Sequence, residues 1–105
     1  MKRSIWISFD LGVSGDYEGL YAWLDAREAK ECGDSLAFLS YAFEGDLIAA
    51  LKSDIQDSIE TNKKTRIYVI YHDEGKMKGT FILGGRRREP WTGYGPREVE
   101  LDTAI

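Results

Sequence analysis

Cysteine, histidine and proline are scarce in this 105-residue chain, with one Cys (Cys32), one His (His72) and two Pro. A single cysteine cannot form an internal disulfide, and one Cys with one His cannot supply the four N/S ligands of a structural zinc site. Disulfide scaffolds and zinc modules are thereby excluded, and a reducing, cytoplasmic setting is expected. Long apolar runs are missing too: the longest, Leu36 to Phe43, is under half of the ~20 residues a membrane helix needs. Met1-Lys2-Arg3 leads straight into a strand-like segment, so neither a leader nor a membrane partner is expected.

Hydrophobic residues make up 43% of the chain and charged ones 30%, which suits one small domain with its own core. The net charge of −4 hides a division. Residues 1–62 hold 5 Lys/Arg against 12 Asp/Glu, whereas residues 63–105 hold 9 against 6. Such asymmetry fits a solvated face as well as a binding surface.

Period-2 alternation in Ser4 to Asp10 predicts a first strand, and Leu11-Gly12-Val13-Ser14-Gly15 a loop. Ser14 and Asp16 are both N-cap candidates, and Tyr17, Leu20, Tyr21 and Leu24 follow at the spacing of one helical stripe, predicting a helix from Asp16 to about Glu28. The break at Gly33-Asp34 predicts a hairpin between a short strand, 29–32, and a longer one, 35–43, whose apolar character on both faces suits a central strand. Leu47, Ile48, Leu51, Ile55 and Ile59 line one face of a second helix, 46–60. Asn62-Lys63-Lys64 is a polar turn, residues 66–72 form the strongest strand signal, and Asp73-Glu74-Gly75-Lys76 turns into a last strand, 77–83. The order is α+β: a ferredoxin-like βαββαβ with an extra C-terminal hairpin strand and two helices on one face of an antiparallel sheet. We expect the domain to span residues 1–88, with 89–105 an arm or tail that includes Pro90 and Pro96.

Ile7-Ser8-Phe9-Asp10-Leu11 with Gly15-Asp16-Tyr17-Glu18-Gly19-Leu20, and the Ser35-initiated strand after Cys32-Gly33-Asp34, resemble the small CRISPR-adaptation endonucleases (Cas-two), the virulence-associated protein D group and SinR-like proteins. The resemblance covers roughly residues 4 to 83. It implies a dimeric ferredoxin-like protein associated with nucleic acid, RNA or DNA. Some members cleave, as Mg²⁺-dependent endonucleases or endoribonucleases, and others only bind. By that match the Asp closing the first strand, Asp10, is the candidate catalytic residue and metal ligand near a homodimer axis. Asp16 across the loop could complete a pair of carboxylates for Mg²⁺, since a hard cation accepts one or two carboxylates when phosphate oxygens fill its shell. Equally, an Asp at a strand end caps its loop and Asp16 caps a helix.

Antiparallel pairing of the first strand with residues 66–72 would put His72 at the far end from Asp10, and Lys63, Lys64 and Arg66 beside it. A carboxylate next to cations suits phosphodiester handling and also a plain surface ion pair. Gly12-x-x-Gly15 before a helix is a weak phosphate-loop signal: it lacks a P-loop lysine, and Asp10, Asp16 and Glu18 surround it with negative charge. Arg86-Arg87-Arg88 with Trp91 and Tyr94 can be a nucleic-acid contact, with guanidiniums on phosphates and aromatics on bases, an arm that crosses to a partner subunit with Trp91 as anchor, or a disordered segment. Trp6, Trp23, Tyr68 and Tyr71 are assigned to core or interface. Two classes of function follow, a metal-dependent nuclease using Asp10 and a non-catalytic module that binds nucleic acid, a nucleotide or a protein partner in a mobile-element, toxin or anti-phage setting.

Overall fold

The first strand, β1 (Lys2–Asp10), alternates Ile5, Ile7 and Phe9 inward with Ser4, Trp6, Ser8 and Asp10 outward. The structure, a computed structural model that describes residues 1–96, continues with α1 (Tyr17–Ala26), β2 (Lys30–Glu31), β3 (Leu36–Ala42), α2 (Leu47–Ser58), β4 (Arg66–Asp73) and β5 (Lys76–Leu83). The strands form one sheet in the order β2-β3-β1-β4-β5, with every neighbouring pair antiparallel. This is the predicted ferredoxin-like arrangement with its extra edge strand. Residues 97–105, the end of the predicted tail, lie outside the described residues.

Both helices cover the same face of the sheet. Leu20, Trp23 and Leu24 of α1 and Leu47, Leu51 and Ile55 of α2 pack on Ile5, Ile7, Leu39, Tyr41, Ile67 and Val69. Asp16 and Asp46 cap the two helices by accepting from the Gly19 and Ala49 amides, which explains why both helices start where short acidic residues precede an apolar stripe. The stripe of α1 is rotated from the expectation: Trp23 is buried and Tyr21 is half exposed, because the long indole reaches under β3 to Tyr41. Arg27 stacks on Trp23 at 4.2 Å and donates to Asp54 at 2.9 Å, and the Tyr41 hydroxyl donates to the same carboxylate, so one polar cluster ties α1 to α2 and β3. Burial, with the Asp54 hydrogen bond second, pushes the Tyr41 phenol up to about 12.

Two local details differ from expectation in extent. The hairpin at Gly33-Asp34 forms, but β2 pairs only Lys30 with Phe38 and Glu31 with Ala37, so β3 is fully paired on one side alone. The apolar outward residues of β3 are instead accounted for by side-chain contact, with the Phe38 ring 4.9 Å from that of Trp6 on β1. The turn between β4 and β5 is a two-residue loop in which Glu74 and Gly75 both have positive φ, the geometry whose twist matches that of the flanking strands. Among the described residues no helix is long and apolar enough to cross a membrane.

Candidate functional site

With both helices on one face, the other face of the sheet carries no helix among the described residues, and its outward residues can be placed by register. One row runs Lys30, Phe38, Trp6, Ile70, Gly79 across β2, β3, β1, β4 and β5; the next runs Leu36, Ser8, Tyr68, Phe81; the last pairs Asp10 with Arg66. A bulge opposite Ile67-Tyr68 lets Phe81 stay outward while Ile82 enters the core. The Tyr68 ring lies across the backbone of β5 at Gly79, where any Cβ would fall within it, and meets Phe81 edge to face at 4.9 Å.

At Gly84 the chain leaves β5 with φ +70, passing so close to the Thr65 carbonyl that a side chain there would clash. The following segment, Gly85 to Trp91, turns back over the sheet. It walls a groove of about 730 Å³ whose floor is Ser8, Tyr68, Ile70 and Phe81 and whose rim carries Arg66, Arg86, Arg87 and Arg88. Asp10 sits at the end of this groove. Its Oδ2 accepts from Arg66 Nη2 at 3.1 Å and Arg87 Nη2 at 3.0 Å, and its Oδ1 accepts from the Gly12 amide at 3.1 Å. The arm and the first-strand carboxylate, separate features in the sequence, form one cluster.

Hydrogen bonding from Arg66, then from the Gly12 amide, with the two guanidinium charges adding to it, holds the Asp10 carboxyl below its usual 3.8. A depressed folded-state pKa means that the stability Asp10 contributes is present above 3.8 and is lost as pH falls through the lower folded-state value. Wild type is therefore expected to be more stable than Asp10→Asn at neutral pH, and the difference should close in acid below 3.8; urea midpoints of both proteins across that range measure it. The effect should be small, because the pair is partly exposed to water.

The other predicted residues are elsewhere. Asp16 spends both oxygens on backbone amides, Oδ1 on Gly19 at 2.9 Å and Oδ2 on Glu60 at 3.0 Å, and so joins α1 to the end of α2. Lys63 and Lys64 line a separate shallow cavity with Leu11, Gly12, Val13, Ser14 and Asn62 rather than the Arg-rimmed groove. His72 pairs with Met77 and the adjacent Asp73 meets Arg3 at 3.6 Å, at the end of β4 away from Asp10, as the antiparallel register requires. In the Gly12-x-x-Gly15 loop the Gly12 amide is taken by Asp10, and the start of α1 is already capped by Asp16. Trp91 lines the groove but is 69% exposed.

The aromatics Trp6, Phe38, Tyr68 and Phe81 lie together on the outward face of the sheet. Trp23 belongs to the core and Tyr71 packs against it, but Trp6 and Tyr68 are half-buried on the open face. The signal was the odd-even parity of β1 and β4: Trp6 shares parity with Ser4, Ser8 and Asp10, and Tyr68 with Arg66 and His72. Comparison with protein-family models, curated proteins and solved structures gives no match to this chain.

The site separates charge by face. The helices carry Glu18, Asp25, Asp54 and Asp57, with Asp16 and Asp46 at their N-caps, against Lys52 and the α1 C-cap Arg27. The outward strand positions and the arm carry Lys2, Lys30, Arg66, Arg86, Arg87 and Arg88 against Asp10 and Glu89. An acidic protein thus presents a cationic sheet face, a surface that attracts polyanions.

Proposed function

We propose that this chain is a small nucleic-acid-binding protein that holds phosphates along the open face of its sheet with Arg66 and the Arg86-Arg87-Arg88 arm. The observation that carries the reading is the concentration of cations on that face and of carboxylates on the helices. It agrees with the resemblance to the CRISPR-adaptation and virulence-associated protein D groups, some of whose members bind without cleaving. A homodimer belongs to the same reading, with β5 an edge strand among the described residues.

The residues present do not make a seat for Mg²⁺ within one chain. Asp10 already meets two guanidiniums, which repel a divalent cation, and both oxygens of Asp16 are bonded to amides. Among the described residues no group of three or more His, Cys, Asp or Glu side chains is placed to hold a metal ion. The reading is therefore of a binding module, with catalysis as the alternative that the test must expose.

Asp10→Asn separates the two. For a binding module it removes a negative charge from the groove and releases Arg66 and Arg87 toward phosphate, so affinity for an oligonucleotide should rise several-fold, as read by fluorescence anisotropy at low salt. If wild type instead cleaves RNA or DNA in Mg²⁺ and Asp10→Asn abolishes that cleavage, the protein is a nuclease and the binding-module reading fails.

A further inference from the structure

We infer that the strand this face takes is single-stranded, with bases stacked on the two outward aromatic pairs and phosphates held by the flanking cations. The inference rests on the nucleic-acid reading above and goes beyond it in naming the ligand class. A duplex offers a protein surface its phosphates and groove edges, while the π-faces of its bases are hidden by stacking; a single strand exposes them. What the open face adds to its cations is ring surface. Phe38 pairs with Trp6, and Tyr68 pairs with Phe81, all four half-buried on the outward side of four neighbouring strands.

Their spacing suits successive bases. Trp6 lies directly opposite Ile70, which places Tyr68 at the diagonal position, about 7–8 Å away by the geometry of antiparallel strands. The two pairs therefore form a diagonal track across the sheet. Lys30 stands beside Phe38 at one end, and Arg66 with the arm stands beside Tyr68 and Phe81 at the other. Gly79 makes room for the Tyr68 ring at the β5 end of this track, where the arm walls the groove.

A second copy of the chain is the competing occupant of an apolar sheet face. Stacking two such faces would bring Lys30, Arg66 and Arg86 to Arg88 of one copy against the same cations of the other, so the charge favours a polyanion instead.

The test measures anisotropy of a short labelled oligouridylate, the matching oligothymidylate and a DNA duplex of equal length, all at one low salt concentration. Both single strands, or whichever of them carries the preferred sugar, should bind about tenfold more tightly than the duplex. Trp6→Leu keeps apolar contact with Phe38 but removes the π-face; it should weaken single-strand binding about tenfold, the loss of one stacked base, while duplex binding and the melting curve stay unchanged. Trp6→Phe should restore most of the affinity, which a merely structural role would not require. Equal or tighter duplex binding, or full single-strand affinity in Trp6→Leu, overturns the inference and leaves the broader nucleic-acid reading standing. Absence of binding to all three probes overturns both. A wild-type dimer that Trp6→Leu dissociates, read by light scattering, also overturns it and assigns the face to a second copy.

Discussion

Replacing Arg86, Arg87 and Arg88 together by alanine is expected to flatten the log-log salt dependence of nucleic-acid binding by about two units for a single strand, and by nearly three for a duplex. Each phosphate neutralised by a cation releases condensed counterions, contributing a slope of about 0.7 per contact on single strands and about 0.9 on duplex DNA. Three arginines on the rim of one groove can each take such a contact. Among the described residues Arg87 alone of these three has a carboxylate partner in the groove, and that partner, Asp10, is shared with Arg66, so phosphate has an accessible guanidinium to meet. The fold should survive, because the arm lies outside the buried core. Affinities measured across a salt series for wild type and the triple variant read the slopes, with light scattering on both. If the slope is unchanged and the variant loses a dimer that wild type forms, the arm belongs to a subunit contact and the phosphate role assigned to it is wrong.

Ile7→Ala is expected to cost about 3 kcal/mol, whereas Ile70→Ala should cost well under half of that. Ile7 is fully buried at the centre of the sheet, between Ala37 and Val69 and beneath the helices, so truncation loses apolar burial and leaves a cavity that rigid strands on both sides cannot close. For a domain of this size the loss corresponds to a fall in Tm of roughly 12–24 °C. Ile70 is also an isoleucine in a central strand, but it faces outward and is only half-buried on the open side. Paired thermal melts measure both. Equal losses would mean that the outward face is covered in solution, which would remove the site described here.

Elements whose cause is local could be read from the chain. The helices were legible because each carries an apolar stripe at helical spacing, with Asp16 a capping candidate before the first, and the Glu74-Gly75 turn because a two-residue hairpin needs two positive φ values and glycine supplies one of them cheaply. The register that puts Arg66 beside Asp10 and His72 far away followed from antiparallel pairing and the sign of alternation. Shorter features were overestimated: β2 has only two residues, since the turn of Cys32 to Ser35 uses positions that could otherwise have paired.

What sequence by itself determined was the α+β element order, the antiparallel pairing and the meeting of Arg66 with Asp10, because periodicity, capping and turn chemistry act within a few residues and constrain how the strands can pair. Tertiary structure alone decided that the arm folds back so that Arg87 reaches Asp10 across 77 positions of chain, that Asp16 is spent on the Glu60 amide, and that Trp6 and Tyr68 face outward while Trp23 faces in. Each of these depends on which face of the sheet the helices cover. An aromatic residue suits a buried or a half-exposed pleated surface equally well in isolation, so its side is fixed only when two helices claim one face and leave the other open.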